Sequence, residues 1–335
     1  MQLLPSILLC GYERGGTTLL SEIFRRNGYQ SGFEVGVLMC DTPSSFQHYQ
    51  PYNQNLLSGW KIQKHLLSKI CDTQDFTDFY HNLFSFSEII DCENIEPHQS
   101  NKLFDKTPIY MSKLGSCLHK THFINKAVVI YRDPRAVMMS WAKRRNTSSM
   151  NVNEYIIKNI RQLAQRYCSY FIGSITHRKN PNVLFVSFEQ LCLKIEEHLK
   201  IIGQFSDGQA WENGAGKSRF ANVTNHHIDQ EKVLEYKHYL KQETQDIILD
   251  STKLASRFFH DASDCIHYGE HWNSISANIK EILKKKNITQ ISYDIDGAYF
   301  EPETYLLRYP DLIRAGINPL KHFQKNGKSE KRIPC

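Results

Sequence analysis

Several features that define large protein classes are missing from this chain of 335 residues. No apolar run reaches the roughly 18 residues that a membrane-spanning helix needs, which excludes an integral membrane protein. The nine cysteines include no Cys-x-x-Cys pair, and their odd number and wide spacing argue against a disulfide framework and a zinc site. We therefore expect a reduced, cytoplasmic protein that has no membrane partner.

A large excess of positive charge is also missing from most of the chain. The formal net charge is +6, and residues 271–335, with 11 basic and 7 acidic side chains, contribute +4 of it. The first 270 residues are therefore almost neutral, whereas a protein that binds a nucleic acid backbone needs a basic surface. We expect no nucleic acid partner. The apolar run Leu3–Cys10 lacks the basic flank of a signal peptide, so it predicts a buried strand.

What the sequence does contain is an alternation of apolar runs and helical patterns. Each of three runs ends in a polar turn and precedes a stretch with helical periodicity: Leu3–Cys10, Ala127–Tyr131 and Val183–Val186. Four helical stretches are predicted from this pattern: a helix that ends before Gly28, a helix that starts at Asp133-Pro134 and continues through Ala136–Arg145, a helix over Glu189–Phe205, and a long stretch over Asp229–Phe259. This order is typical of a parallel sheet with crossover helices, so we predict an α/β fold.

The C-terminal part of the chain differs in character from the rest. Residues 297–335 contain two short amphipathic helical patterns joined by Gly and Pro turns. They resemble a small helical module that is appended to bacterial polysaccharide and glycosyltransferase-type proteins. We predict a main domain over residues 1–270, a linking helical segment over 271–296 and this small helical module over 297–335. We expect the module to serve packing or docking, not catalysis.

The first glycine-rich segment follows the first strand and opens a helix. Its sequence, Gly11-Tyr-Glu-Arg-Gly-Gly16-Thr17-Thr18, predicts a turn whose backbone N–H groups converge on an anion at a helix N-terminus. It departs from the P-loop of nucleoside triphosphatases, G-x-x-x-x-G-K-[ST], because Thr17 replaces the lysine that reaches the β- and γ-phosphates. ATP and GTP are therefore disfavoured, and Arg14 offers a cation from another direction. A tight strand-to-helix turn without a ligand is the alternative interpretation.

A second candidate anion site follows the second apolar run. The segment Tyr131-Arg132-Asp-Pro-Arg135 and the later Ser140 place an arginine at the end of a strand and a hydroxyl eight residues further on. An arginine at the carboxyl edge of a parallel sheet can hold a phosphate through two hydrogen bonds. Capping of a neighbouring helix is the other role open to Arg132, and the presence of two anion motifs on two strands disfavours it.

These two motifs, in this order, resemble the sulfotransferase family, whose members bind 3′-phosphoadenosine 5′-phosphosulfate (PAPS) on a P-loop-like fold. The resemblance covers about residues 3–260 and includes Phe188-Glu-x-Leu191, where the family usually begins with a tyrosine. It implies a P-loop-like parallel sheet flanked by helices, here with the small helical C-terminal appendage. It also implies PAPS as the sulfonate donor, adenosine 3′,5′-bisphosphate (PAP) as the product, and no metal. The nucleotide-binding residues that it implies are Arg14, Gly15, Gly16, Thr17 and Thr18 for the 5′-phosphosulfate, Arg132 and Ser140 for the 3′-phosphate, and Lys217 and Arg219 in a late loop.

The resemblance also implies three catalytic residues. Lys106, in the Asp-Lys-Thr-Pro segment 105–108, matches the family's lysine that meets the transferring sulfonate. Negative charge builds on the bridging oxygen as its bond to sulfur breaks, and Lys106 and Arg14 are expected to stabilise that charge. Glu34, twenty residues after Arg14, matches the general base of tyrosylprotein-type members. Cytosolic members have a histidine after Lys-Thr, and here a proline replaces it, so that base is absent. His65 stays open as the alternative to Glu34.

The stretch from residue 70 to residue 101 contains no lysine or arginine, while seven acidic residues lie within 72–96. Such a stretch is most often a solvated face, and the functional alternative is a segment that attracts cations. We expect a small-molecule acceptor that carries a hydroxyl, with a cationic secondary metabolite of the saxitoxin-like kind favoured over a carbohydrate or glycan. A nucleotide kinase with a degenerate P-loop and a non-catalytic nucleotide-binding scaffold are the competing classes. The oligomeric state and the choice between O- and N-sulfation stay open.

Overall fold

The core of the fold is a four-stranded parallel sheet. The computed structural model describes residues 2–90, 102–145, 150–212, 231–255, 269–327 and 329–334. The strands of the sheet are β1 (Ile7–Gly11), β2 (Phe104–Lys106), β3 (Lys126–Tyr131) and β4 (Val183–Ser187). Their order is β2-β1-β3-β4, and all five residues of β1 are buried, as is typical of an inner parallel strand. The sheet confirms the α/β class predicted from the sequence.

Helices connect these strands and make up more than half of the other residues that the structure describes. In chain order they are α1 (Thr17–Arg26), α2 (Tyr52–Gly59), α3 (Lys64–Cys71), α4 (Phe76–Phe86), α5 (Leu114–Lys120), α6 (Pro134–Arg145), α7 (Val152–Ile172), α8 (Phe188–Leu193), α9 (Ile195–Asp207), α10 (Glu231–Leu234), α11 (Tyr236–Tyr239), α12 (Gln242–Ser251), α13 (Gly269–Lys285), α14 (Pro302–Arg308), α15 (Pro310–Arg314) and α16 (Pro319–His322). No helix within the described ranges combines the length and the apolar character needed to cross a membrane.

The chain divides into two compact units. The first consists of Met1–Met111, Lys120–Arg132 and Asn180–Glu235, and the second of Ser112–His119, Asp133–Lys179 and Tyr236–Cys335. In the first unit, α1, α8 and α9 pack against the sheet through one apolar cluster. Its side chains include Leu20 and Phe24 of α1, Ile130 of β3, Phe188 of α8 and Ile202 of α9. The predicted arrangement of helices on a parallel sheet is therefore confirmed.

The strand order determines where a ligand is expected. Because β1 lies between β2 and β3, the chain crosses first to one side of β1 and then to the other. Open α/β sheets bind ligands outside the carboxyl ends of their strands, at such a reversal. The residues that follow β1, β2 and β3 are therefore the place to look for a site.

Two helices that the sequence pattern predicts as continuous are interrupted, so these two predictions are wrong. The predicted helix Glu189–Phe205 is split into α8 and α9 at Lys194, whose φ of −132° and ψ of 53° lie outside the helical region. The described part of Asp229–Phe259 includes three short helices, α10, α11 and α12, and Lys241 before α12 is extended. Apolar periodicity continues across such breaks because residues on both sides are buried, so it does not reveal the change in the backbone.

In the parallel sheet, the sequence pattern also missed one strand and extended another. The strand β2 contains only three residues, Phe, Asp and Lys, and so has no apolar run that a pattern could detect. The predicted strand Leu3–Cys10 begins only at Ile7. The missed strand carries Lys106, one of the predicted catalytic residues, at its carboxyl end.

The C-terminal part of the second unit contains a hairpin and three short helices. The strands β5 (Tyr293–Ile295) and β6 (Ala298–Phe300) pair in antiparallel fashion, and α14, α15 and α16 follow them. The sequence predicted two helices there. The chain leaves the helical region at Tyr309, with φ −124° and ψ 77°, as expected for a residue that precedes a proline. The helical appendage is therefore present, with an added hairpin, while the domain boundaries at 270 and 296 stay a prediction.

A buried carboxylate, Glu301, holds this appendage to the segment after α7 within the second unit. One of its oxygens lies 2.8 Å from His177 Nε2 and accepts a hydrogen bond from the Tyr299 hydroxyl at 2.8 Å. The other accepts from Thr304 at 2.6 Å and from Thr176 at 3.1 Å. Burial acts to raise the pKa of Glu301, but these hydrogen bonds outweigh it and keep the pKa below its usual value.

We expect the Glu301→Ala variant to lower the free energy of unfolding by about 3 kcal/mol, because several buried donors lose their acceptor at about 1–3 kcal/mol each. The folded-state pKa is depressed, so this contribution is complete above about pH 4.5 and is lost as the pH falls through the folded value. Urea denaturation at pH 7 and pH 4 measures both effects. The matched control is Glu303→Ala, whose partner Arg178 lies 3.8 Å away at a half-exposed position. Equal losses in the two variants would contradict the prediction.

Candidate active site

The turn after β1 has the tight backbone that the glycine motif predicts. The amide of Gly15 donates a hydrogen bond to the Tyr12 carbonyl at 2.8 Å. Arg14 and Gly16 adopt left-handed φ values of 67° and 101°, and a Cβ at Gly16 would lie 2.4 Å from the Phe188 ring, so only glycine fits there. The helix α1 begins directly afterwards without a side-chain cap. A glycine turn that leads into such an N-terminus is suited to bind an anion.

Arg132 lies next to this turn, at the carboxyl end of β3. Its side chain is largely buried, and its Nη1 donates to the carbonyl of Arg14 at 3.2 Å. The guanidinium lies 4.1 Å from the centre of the Phe188 ring, a distance at which a cation–π contact is favourable. Phe188 has no hydroxyl to offer a nucleotide, but it supports Arg132 and packs against the glycine turn. The structure therefore brings together the two predicted anion-binding motifs at one edge of the sheet.

Lys106 and Glu34 form an ion pair at the same edge of the sheet. Lys106 Nζ lies 2.9 Å from Glu34 Oε1, and the side chains are 5% and 22% exposed. The ammonium group also lies 4.8 Å from the centre of the Phe33 ring. The backbone carbonyl of Glu34 accepts a hydrogen bond from Asn55 Nδ2 at 2.9 Å. Two of the three predicted catalytic residues, 72 positions apart in the sequence, are thus in direct contact.

Asp105, which precedes Lys106, is fully buried and accepts several hydrogen bonds. The hydroxyls of Tyr80, Thr107 and Tyr110 donate to it at 2.6, 2.8 and 2.9 Å. The backbone amide of Val35 is a further donor. Burial raises the pKa of Asp105 to about 6, and the hydrogen bonds act in the opposite direction. This carboxylate therefore depends on its donors to remain charged inside the protein.

A cavity of about 350 Å³ opens beside Lys106. The residues that line it are Thr18, Ser21, Arg25, Gly32, Phe33, Asn55, Ser58, Gly59 and Lys106. They offer hydroxyl, amide and aromatic groups and two cations, and none of these lining residues is acidic. Arg25 donates hydrogen bonds to Glu22 and to the carbonyl oxygens of Ser31 and Gly32. The volume is that of a small-molecule site.

The family model of the sulfotransferase domain matches residues 4–253 of the chain. The chain belongs to the sulfotransferase family. Among solved structures it is similar to the sulfotransferase domain of the Synechococcus PCC 7002 olefin synthase, with 17% identity, a TM-score of 0.48, and coverage of 75% of this chain and 94% of that one. It is also similar to the sulfotransferase domain of the curacin biosynthetic pathway, with 17% identity, a TM-score of 0.44 and coverage of 75% and 98%. A third similar structure is the mouse sulfotransferase SULT7A1 in complex with PAP, with 14% identity, a TM-score of 0.40, and coverage of 75% of this chain and 83% of that one. No curated protein matches the chain.

The remaining residues predicted for the sulfotransferase site are placed in different parts of the molecule. Thr18 is exposed on α1 and lines the cavity. Ser140 is half-buried on α6, which belongs to the second unit. His65, the alternative base, is exposed on α3 and is not among the residues that line the cavity. Lys217 and Arg219 lie outside the described residues, as does the part of the acidic stretch after residue 90.

The sequence does not reveal the residues that contact Lys106, Glu34 and the backbone around them. Asp105 and Thr107 flank Lys106 in the segment 105–108, but the family motif gives a role only to the lysine. Their position next to a candidate catalytic residue was the one available signal. Asn55 carries no signal at all, because its hydrogen bond to the Glu34 carbonyl depends on the folding of a distant segment.

Proposed function

We propose that this sulfotransferase moves the sulfonate group of PAPS to a hydroxyl group of a small-molecule acceptor, with Glu34 as the general base. The observation that carries the proposal is the Lys106–Glu34 pair, with 2.9 Å between Nζ and Oε1, at the carboxyl edge of the sheet and beside a cavity of about 350 Å³. Such a transfer needs a cation for the leaving oxygen and a base for the acceptor's proton. The pair supplies one of each.

The donor is proposed to bind across the glycine turn and Arg132. Its 5′-phosphosulfate meets the backbone of residues 14–18, where amide groups and the N-terminus of α1 favour an anion. Its 3′-phosphate meets the guanidinium of Arg132, which can form two parallel hydrogen bonds with a phosphate. Ser140, Lys217 and Arg219 remain further predicted contacts of the nucleotide.

The proposed step is an in-line transfer. The hydroxyl oxygen of the acceptor forms a bond to sulfur while the bond from sulfur to the bridging phosphate oxygen breaks. The hydroxyl proton passes to the carboxylate of Glu34, and the bridging oxygen leaves on PAP with the electron pair. Lys106 and Arg14 stabilise the charge that develops on the departing oxygen and the sulfonate. As in phosphoryl transfer, positioning and electrostatics account for most of the catalysis.

The described part of the acidic stretch supports a structural role more than a cation site. Asp72, Asp75 and Asp78 are exposed. The Asp75 carboxylate caps α4 by accepting hydrogen bonds from the backbone amides of residues 77 and 78. The cavity lining, by contrast, contains no acidic residue that would pair with a cation, and its hydroxyl and amide groups suit an acceptor that is rich in hydroxyl groups. Ser21, Asn55 and Ser58 lie there with a Phe33 ring that is 42% exposed. We therefore keep a carbohydrate as the second candidate acceptor, to be compared with cationic alcohols in an acceptor screen.

The donor site is tested by calorimetric titration with PAP and, separately, with Mg·ATP. We expect tight binding of PAP and little binding of ATP. The Arg132→Ala variant should bind PAP about 30-fold more weakly or worse, because a buried charged contact with a phosphate is worth about 2 kcal/mol or more. Arg314→Ala, at an exposed position on α15, is the matched control and should bind PAP normally.

Three outcomes of this titration, taken together with an assay for PAP release from PAPS, separate the competing classes. If the protein binds Mg·ATP more tightly than PAP, and Arg132→Ala does not change that binding, the kinase hypothesis would replace the proposal. Tight binding of PAP without turnover of PAPS in any acceptor screen would favour the non-catalytic scaffold. Tight binding that depends on Arg132, together with release of PAP from PAPS, supports the sulfotransferase proposal.

A further inference from the structure

Asp105 stands directly before Lys106 on β2, and its carboxylate is fully buried. We infer that Asp105 is a positioning residue, which holds the Glu34 loop (residues 32–38) where Glu34 can act as the base. The inference rests on the proposed function, because it concerns the placement of that base. It adds a residue that contacts neither the donor nor the acceptor in the proposed site.

Two of the links from Asp105 to the Glu34 loop involve Val35 and Gly36. The Val35 amide donates directly to the Asp105 carboxylate. Thr107 Oγ1 donates to Asp105 Oδ1 at 2.8 Å and accepts a hydrogen bond from the Gly36 amide at 3.1 Å. The loop backbone is therefore held at two consecutive residues immediately after the base.

The third link runs through Tyr110. Its hydroxyl donates to Asp105 Oδ2 at 2.9 Å and accepts from the Leu38 amide at 3.3 Å. A carboxylate can only accept hydrogen bonds, so it fixes the direction of each hydroxyl that donates to it. The lone pairs of Thr107 and Tyr110 then remain available to the loop amides. A neutral acceptor with fewer lone pairs could not orient all these donors in the same way.

These links set the position of Glu34 relative to Lys106. Lys106 is fixed by the sheet, since it pairs with Leu9 of β1 in the parallel register. Glu34 directly precedes the first tethered residue of the loop. Asp105 belongs to the same strand as Lys106. The positions of both Lys106 and Glu34 are therefore set by strand β2. A shift of about 1 Å between catalytic groups can cost about 100-fold in rate.

A purely structural role for Asp105 is the competing explanation, and Tyr80 offers a way to separate the two. The Tyr80 hydroxyl donates to Asp105 Oδ2 at 2.6 Å from α4, and it also interacts with Tyr110. Both of these interactions are with side chains, whereas Thr107 and Tyr110 bond to loop amides directly. Loss of this hydroxyl therefore removes a buried donor from Asp105 while the three links to the loop remain.

The experiment compares Thr107→Val and Tyr110→Phe with the control Tyr80→Phe. The probes are 2-phenylethanol, a neutral alcohol, and 4-nitrophenol, which is ionised near neutral pH and has little need of a base. We expect the first two variants to lower kcat for 2-phenylethanol about 10- to 100-fold, with a smaller loss for 4-nitrophenol and unchanged affinity for PAP. Tyr80→Phe should keep the kcat for both probes. Amide exchange at residues 36 and 38 should accelerate in Tyr110→Phe and Thr107→Val only.

Equal losses of kcat in all three variants, or equal losses for both acceptors, would reduce Asp105 to a core residue and overturn the inference. Unchanged amide exchange in the two linked variants would overturn it without any turnover measurement. The direct variant Asp105→Asn should show the same dependence of kcat on the acceptor. If Asp105→Asn does not fold, Thr107→Val and Tyr110→Phe decide whether Asp105 is a positioning residue. The proposed function fails separately, namely if Glu34→Gln retains full activity.

Discussion

We expect the Glu34→Gln variant to transfer sulfonate to 2-phenylethanol about 10²–10⁴-fold more slowly than the unchanged enzyme. The amide keeps the size of the side chain and an oxygen that can face Lys106 Nζ, which lies 2.9 Å from the carboxylate. It cannot take up a proton near neutral pH, so the attacking hydroxyl loses its base. The release of PAP at saturating PAPS measures the rate, and titration with PAP shows whether the donor site is intact.

The acidity of the acceptor provides the internal control for Glu34. A phenol that is already ionised attacks without a base, so Glu34→Gln should lose much less activity with 4-nitrophenol. The matched variant His65→Ala should behave like the unchanged enzyme, because His65 is exposed on α3, whereas Glu34 is paired with Lys106 of the cavity lining. An equal loss with both acceptors would assign Glu34 a role other than proton transfer. A loss of activity with 2-phenylethanol in His65→Ala, but not in Glu34→Gln, would show that His65 is the base.

The features that could be predicted from the sequence are those encoded in short continuous segments. Strands β3 and β4, the left-handed glycine turn and the helix that starts at Pro134 each depend on neighbouring residues, and each is found where the pattern places it. Two separate family motifs selected Glu34 and Lys106 as candidates, but their contact was not predicted, and their roles await the experiments above. Local chemistry and family motifs were sufficient to choose these candidates, not to pair them.

The features that could not be predicted depend on contacts between distant segments. Strand β2 has three residues and no apolar run, and it forms because β1 offers a parallel edge. The hydrogen bonds that tie the Glu34 loop to Thr107 and Tyr110 join positions 71 and 72 residues apart in the sequence. A buried aspartate looks like a surface residue in the sequence, because its burial is acceptable only once its donors are in place. The scaffold of the site is therefore the part that needs a structure.

The Lys106→Met variant should lower kcat about 10²–10³-fold, the typical loss when one group that stabilises a developing negative charge is removed. Methionine retains an apolar stem for a position that is only 5% exposed, so the fold should persist. The control is Lys102→Met, whose ammonium group is 3.4 Å from Asp207 and 30% exposed. Lys102 serves the packing of the first unit, and its loss should leave the release of PAP from PAPS unchanged.

The dependence on the acceptor separates Lys106 from Glu34, although the two side chains touch. In the proposed mechanism Glu34 acts on the acceptor's proton, so its loss should matter less as the acceptor becomes more acidic. In the same mechanism Lys106 acts on the departing oxygen, which is the same for every acceptor, so its loss should be equal for 2-phenylethanol and 4-nitrophenol. If Lys106→Met instead spared 4-nitrophenol as Glu34→Gln does, the lysine would act by orienting the base. Stabilisation of the leaving group would then fall to Arg14, and Arg14→Ala would carry the loss that both acceptors share.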